Sequence, residues 1–423
     1  MSTATTSATG QGGPRPNPPT KSLGDSARDY LTRVRGGDVG ALPAVLGLVV
    51  LVVVFTSLRP DTFTNSFNFA NLITQGAAVT VLAMGLIFVL LLGEIDLSAG
   101  YTGGTAAAVM GVFLTNRDWD WRLSILICLL TGAVIGTCIG LLVAKLGIPS
   151  FVVTLAAFLG LQGLMLLIIG EGGTISFAEP HILAIMNKNL PVWLSWTLAV
   201  GGVLAYAGIT LRSSRSRRAA GLKGDPMVLW ALKTGTLAVI AIGATIYLTA
   251  ERSKNVALTS LKGFPVVVVV LLALLVGLTF VLGRTAWGRH VYAVGGNAEA
   301  ARRAGINVPR IKLTCFVICS TLAAVGGILL ASRNNSVSPK TGGELTLLYA
   351  VGAAVIGGTS LFGGKGRILD AVIGGLVVAV IDNGMGLLNQ PQGRVYMVTG
   401  AILLVAASVD AISRRKAAAS GRL

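Results

Sequence analysis

Twelve apolar runs follow one another along this chain, beginning near residues 42, 76, 101, 123, 150, 192, 230, 264, 311, 345, 368 and 395. A helix that crosses a bilayer needs about 20 predominantly apolar residues, with a range of roughly 17–25. Backbone polar groups inside lipid must be satisfied within the protein, so such runs can only be spanning helices. The runs near 76, 101 and 345 are short or glycine-rich. The expectation is therefore an all-α polytopic membrane protein with about 10–12 transmembrane helices.

The composition agrees with this reading. Apolar residues make up 53% of the chain and charged ones only 12%, against about 25% charged in soluble domains. A net charge of +17 would point to nucleic acid in a soluble domain. Here the basic residues lie between apolar runs, which is the pattern of membrane orientation. Placing segment 283–310 inside puts both termini inside, together with the turns 93–100, 145–149, 212–229 and 361–367. That arrangement gathers 24 of the 34 Lys and Arg residues on the inner side, as the positive-inside rule requires. Residues 1–41, rich in Ser, Thr, Gly and Pro, read as a disordered inner tail without a signal peptide. Residues 42–412 form the membrane domain, and 413–423 a basic inner tail.

Gly283 to Lys312 is the long polar interruption of the C-terminal half, carrying Arg284, Arg289, Glu299, Arg302, Arg303, Arg310 and Lys312. One arginine or lysine at the bilayer centre costs about 2.5–3.5 kcal/mol, so the segment lies in solvent. Gly295-Gly296-Asn297 reads as a turn, Asn297 as a cap, and Ala298–Ala304 as a short basic helix ended by Gly305. Apolar runs on both sides would hold that helix against the membrane face. A soluble partner could push on it there, although an ordinary basic loop has the same composition.

Residues 93–100, Gly-Glu-Ile-Asp-Leu-Ser-Ala-Gly, interrupt an apolar stretch of about forty residues. Glu94 and Asp96 cannot face lipid. Either they form a tight turn at the inner face, with Asp96 or Ser98 capping the next helix, or they occupy irregular backbone buried among helices. A related pattern recurs at Gly357–Gly366, where Gly93, Leu97, Gly100 and Gly111 match Gly357, Leu361, Gly364 and Gly375. The constant offset suggests two weakly repeated halves with broken helices at matching places. Gly364-Lys365-Gly366 lacks the Ser or Thr of a phosphate-binding loop, so no ATP site is present in the sequence. Energy must come from another subunit or from an ion gradient.

Other chemistry is sparse. Cys128, Cys138, Cys315 and Cys319 lie in apolar helices as packing residues. His181 and His290 cannot assemble a triad or a metal cluster, so no catalytic residue, metal or cofactor is expected. Gly132, Gly136 and Gly140 form a small-residue stripe for close helix packing, with a dimer face as the alternative. Asn71, Gln75, Thr154, Gln162 and Asn383 are polar residues in or beside spans. They would either line a pathway or hydrogen-bond between helices.

Six segments resemble one family. Residues 284–308, including Glu299-Ala300-Ala301-Arg302 and Gly305, resemble the cytoplasmic coupling loop of ABC-importer permeases for monosaccharides, the ribose/xylose/arabinose group. Residues 93–100, with Glu94, Asp96 and Ser98, and residues 357–366 resemble two further signatures of that group. Asp382–Met385 is a further local match, and Lys145–Leu155 and the basic insertion Arg212–Gly224 with its flanking spans are most similar to the xylose type. The resemblance runs from about Leu42 to the C-terminus. It implies a non-catalytic ABC importer permease fold in the cell membrane, acting as a homodimer with a cytoplasmic ATPase and an extracytoplasmic sugar-binding protein. In that reading Glu299, Ala300, Ala301, Arg302 and Gly305 couple the ATPase to the spans. An ion-coupled secondary transporter is the alternative, although it usually carries ionisable residues within spans. Here Glu94, Asp96, Asp370, Asp382 and Asp410 fall at or near span ends.

Overall fold

A computed structural model describes Gly24, Arg28, Thr32 and residues 40–220, 226–253, 255–257 and 260–419. The expected N-terminal tail otherwise lies outside the described residues. Among these residues, Trp193–Ile246 belong to one compact unit, and the chain from Gly40 to Val192 and from Tyr247 onward forms the other. The smaller unit is a helical hairpin of α8 (Val192–Ala219) and α9 (Met227–Thr249). Its helices are joined where the Trp230 indole donates to the Ala207 carbonyl and to Thr210 Oγ1, at 3.3 and 3.0 Å. These are the two spans that flank the basic insertion.

The larger unit opens with α1 (Leu42–Leu58), the one-turn α2 (Pro60–Phe63) and α3 (Ser66–Leu91). It continues through α4 (Ala99–Gly111), α5 (Trp121–Ala144), α6 (Ser150–Ile169) and α7 (Pro180–Asn187). After the hairpin come α10 (Val267–Arg284), α11 (Ala286–Gly296), α12 (Ala298–Arg303) and α13 (Val308–Asn334), then α14 (Glu344–Ile356), α15 (Ile368–Leu387) and α16 (Gln392–Ala419). Twelve helices thus correspond to the twelve apolar runs. Nine described helices are long and apolar enough to cross a membrane alone. α1, at 17 residues, and α4 and α14, at 13 each, fall short. α16 stays helical to Ala419, past the expected end of the membrane domain at 412.

α3 differs most from the sequence reading. The apolar run near 76 is the C-terminal part of a 26-residue helix that begins at Ser66, where Asn65 Oδ1 accepts the Phe67 N–H at 2.9 Å. Its first turns carry Asn68, Asn71, Thr74 and Gln75, which hydropathy alone assigns to a loop. They are helical because Asn68 and Gln75 have partners on α15. From Gly76 to Leu91 nearly every side chain is buried, as expected of a helix that is apolar all round.

α13, about 40 Å long, lies alongside α3, α4 and α5. Close approach is possible because glycines line the contacts. A methyl group at Gly136 would sit 2.7 Å from both the Phe316 carbonyl oxygen and Ser320 Cβ, and one at Gly132 would sit 2.6 Å from the Ser320 carbonyl oxygen. The Gly132/136/140 stripe is therefore used inside one chain, against α13. α4 packs in the same way, with Gly103 backbone to backbone against Ala323 and Gly327. At the far end of α13, Ile175–Ser176 (β1) pairs antiparallel with Ser336–Val337 (β2), Ile175 opposite Val337. There Asn187 Nδ2 also donates to the Ser332 carbonyl at 2.8 Å.

Gly136→Leu should therefore destabilise the chain by about 1–3 kcal/mol through overpacking. Gly160→Leu on α6, where an added carbon meets nothing within 4 Å, should stay within about 0.5 kcal/mol. Thermal melting of both variants in detergent reads the difference, and equal melting would place the stripe outside the packed interface.

Candidate functional site

The polar interruptions singled out in the sequence meet at one end of the larger unit. α3 ends at Leu91, and Gly93 takes φ +74° to turn the chain. Downstream, α14 ends at Ile356, and Gly358, Gly363 and Gly364 take φ +115°, +84° and +73°. Such angles are open to glycine and strained for other residues. The Gly364 N–H donates to the Leu91 carbonyl at 2.8 Å, joining the two helix breaks directly. Gly295 of α11 covers the same point. A side chain there would collide with the Leu91 carbonyl oxygen, and its Cβ would lie 3.0 Å from Gly364 N.

α11 is amphipathic. Thr285 caps it, accepting the Gly288 N–H at 3.0 Å, and Gly288, Val291 and Val294 are buried. Its Trp287 ring lies 5.9 Å from that of Phe88 and donates to Thr314 Oγ1 at 2.9 Å. Its Tyr292 hydroxyl donates to the Gly366 carbonyl at 2.7 Å. Gly295 and Gly296 complete this helix and are not a turn, which corrects the sequence reading. The chain turns only at Asn297.

Asn297 caps α12 as expected, accepting the Ala300 N–H at 2.9 Å, and Gly305 leaves the helix at φ +82°. Ala301 is buried. Glu299, Ala300, Arg302 and Gly305 are exposed. Glu299 pairs with Arg302 at 2.9 Å and with Arg303 at 3.3 Å. Each such exposed pair contributes only about 0.3–0.5 kcal/mol, so the helix presents an outward face whose charges contribute little to the fold. Asn307 then caps α13, accepting the Arg310 N–H at 3.0 Å.

The break at 93–98 takes the second of its two expected forms. Asp96 is 1% and Ser98 0% exposed, so this is irregular backbone buried among helices. Asp96 Oδ1 accepts the Ser98 N–H at 2.9 Å and the Ser98 hydroxyl at 2.6 Å, and the Cys319 thiol of α13 faces the same carboxylate. Ser98 is the residue before α4 but makes no side-chain cap. Glu94, nearer the surface, accepts from Lys312 Nζ, near the start of α13. The break is also tied to α6, because the Ile95 N–H donates to Ser150 Oγ at 3.3 Å and Thr154 Oγ1 donates to the Ile95 carbonyl at 3.2 Å. At the other break Asp370 accepts the Arg367 backbone N–H at 2.8 Å and its guanidinium at 3.0 and 3.2 Å.

A second polar cluster sits near the opposite end of α3, roughly 35 Å from Leu91. Asn68 and Asn383 exchange two amide hydrogen bonds of 2.9 Å, and Asn383 Nδ2 also donates to Gln75 Oε1 at 3.1 Å. Gln75 and Asn383 therefore come together and hold α3 to α15. Thr154 is buried against its own helix and the first break. Asn71 and Gln162 are half-buried, with no side-chain hydrogen bond among the described residues.

A family profile described as "Branched-chain amino acid transport system / permease component" matches residues 68–407. The xylose transport system permease protein XylH of Escherichia coli K12 is 36% identical over 372 residues, covering 88% of this chain and 92% of that protein. XylH of Haemophilus influenzae is 34% identical, covering 88% and 96%. The ribose import permease protein RbsC of Escherichia coli K12 is 29% identical, covering 87% and 92%. This chain belongs to that permease family. No solved structure matches it.

The match begins at Asn68, so it contains both helix breaks, α11 and α12, while α1 lies before it. The roles of three residues of this permease were not apparent from sequence. Lys312 is 218 residues from Glu94, and no local pattern links them. Tyr292 sits in a helix whose period the two terminal glycines hide. Asn68 could have been found, since it lies on one helical stripe with Asn71 and Gln75 at i, i+3 and i+7.

The Glu94–Lys312 pair can be tested by charge exchange. Its side chains are 17% and 26% exposed, between the surface and buried regimes, so Glu94→Lys or Lys312→Glu should each cost about 1–2 kcal/mol. The double exchange should recover most of that loss. Melting temperatures of the four proteins give the coupling directly, and additive losses would show that the pair does not interact.

Proposed function

We propose that this chain is the membrane-spanning permease subunit of an ATP-driven importer, carrying a monosaccharide, xylose or a similar pentose or hexose, into the cytoplasm. The similarity to xylose permeases over nearly the whole membrane domain carries the substrate class. The exposed α12 helix, joined to both helix breaks through α11, supports the energy source. The sequence has no phosphate-binding loop of its own, so ATP hydrolysis belongs to a separate cytoplasmic subunit docked on Glu299, Ala300, Arg302 and Gly305. In this reading two copies form the membrane core, a sugar-binding protein delivers substrate from outside, and both termini lie in the cytoplasm.

Coupling follows from the packing. Ala301 seats α12 against the protein, and α11 reaches the Leu91 carbonyl through Gly295 and the second break through Tyr292. A displacement of α12 thus reaches α3 and α15 together, and through Lys312 reaches α13. Asn71 and Gln162 retain amides free to meet sugar hydroxyls. The Asp96 carboxylate, buried among helices, is the feature that favours an ion-coupled carrier instead. Dependence of uptake on the ATPase separates the two readings.

Glu299→Lys and Gly305→Val test the assignment in membrane vesicles. Glu299 lies on an exposed face, and Gly305→Val strains only the exposed end of α12, where φ is +82°, so membrane abundance should stay near wild type for Glu299→Lys and fall only modestly for Gly305→Val. Disrupting a residue at the centre of a docking interface costs about 2 kcal/mol or more, so ATPase association should weaken at least tenfold and xylose uptake should fall with it. In the same vesicles, cysteine at Asn71 or Gln162 should be protected by xylose from a water-soluble thiol reagent. Wild-type uptake in both variants would return α12 to an ordinary surface loop.

A further inference from the structure

A groove of about 730 Å³ runs between α1, α14, α15 and α16. Ala44, Gly47 and Leu51 of α1 and Ile402, Val405 and Ala406 of α16 line its walls. The groove is apolar along its length and charged only at one mouth, where Lys365, Arg367 and Asp370 lie. Asp370 is buried, and its Oδ1 accepts from Arg367 Nε and Nη2. The guanidinium has five N–H donors, and Nη1 is not used on Asp370. Lys365 is exposed, with no ion pair among the described residues. The mouth therefore carries two cations against one anion, and among the described residues no ion pair uses Lys365 or Arg367 Nη1.

The shape restricts the occupant. Its apolar walls, closed at one end by cations, suit flexible hydrocarbon chains that carry an anionic head group. An apolar slot ending in cationic donors matches one kind of molecule, with acyl chains in the slot and a phosphate at the mouth. We propose that this groove binds an anionic phospholipid, its head group held by Lys365 and Arg367.

The site lies at the same end as α11 and α12. The Gly366 carbonyl, between the two cations in sequence, accepts the Tyr292 hydroxyl. A bound head group therefore stands beside the contact that holds α11 to the second helix break. The lipid would brace that contact from the membrane side. The proposal does not rest on which solute is carried or on the energy source.

The test uses the full chain in phosphatidylcholine nanodiscs containing a small fraction of either photoreactive phosphatidylglycerol or photoreactive phosphatidylcholine, with adducts mapped by mass spectrometry. Phosphatidylglycerol should label α1 and α16 around Val50 and Val405 about fivefold more than phosphatidylcholine, the factor expected from one net cation near the membrane surface. No such preference should appear at Leu126 and Val134, exposed positions on α5. Lys365→Gln should remove the preference while keeping the label. Ala406→Phe, which fills the groove without touching its charge, should remove the label from both helices. Equal labelling by the two lipids would overturn the proposal. So would cross-links between two copies, or occupation of the groove by another segment of this chain.

Discussion

One backbone hydrogen bond, from the Gly364 N–H to the Leu91 carbonyl, defines how this permease is assembled. A helix that stops inside a membrane protein leaves carbonyl and amide groups that lipid cannot satisfy. Here two helices are interrupted at the same level, and the second break supplies a donor to the last carbonyl of α3. The arrangement requires glycine where φ is positive, at Gly93, Gly363 and Gly364. It also requires glycine at Gly295, which must come close to both Leu91 and Gly364. The signatures at 93–100 and 357–366 are thus two halves of one junction, closed by a third segment from α11.

Close packing elsewhere has the same origin. α13 can lie along α5 and α4 because glycines on those helices remove the side chains that would separate the backbones. Without a hydrophobic driving force between helices in lipid, such packing is what remains to hold them together. The result is a rigid group of α3, α4, α5 and α13, onto which α11 and α12 are fixed at one end. The short strand pair and the Asn187–Ser332 hydrogen bond close the other end. A rigid group of this kind can pass a displacement from one face of the membrane towards the other without unfolding locally.

Features set by local chemistry were legible in the sequence. The apolar runs gave the helices, Asn297 and Gly305 gave the ends of α12, and the spacing of Gly132, Gly136 and Gly140 gave a packed stripe. Features set by distant partners were not. The polar first turns of α3 read as loop because Asn68 and Gln75 find their partners on α15, more than 300 residues away. Gly295-Gly296 read as a turn because glycine in a helix is unfavourable unless close packing demands it, and that demand comes from Leu91 and Gly364. Glu94 was recognised, whereas Lys312, its partner, stood out only as one more charge of a basic segment.

The central claim is that α11 and the second helix break move as one body when the ATPase acts. Gly296 Cα lies 3.5 Å from where a side chain at Gly364 would begin, which brings Gly296 and Lys365 within reach of a short cross-linker. The direct measurement uses Gly296→Cys with Lys365→Cys in a chain whose four native cysteines are replaced, assembled with its ATPase in proteoliposomes. If the account is right, a short bis-thiol reagent links the pair with equal yield at rest and during ATP hydrolysis, and the linked protein still transports. A yield that collapses during turnover, or transport abolished on linking, would show that α11 parts from the break in each cycle and contradict it.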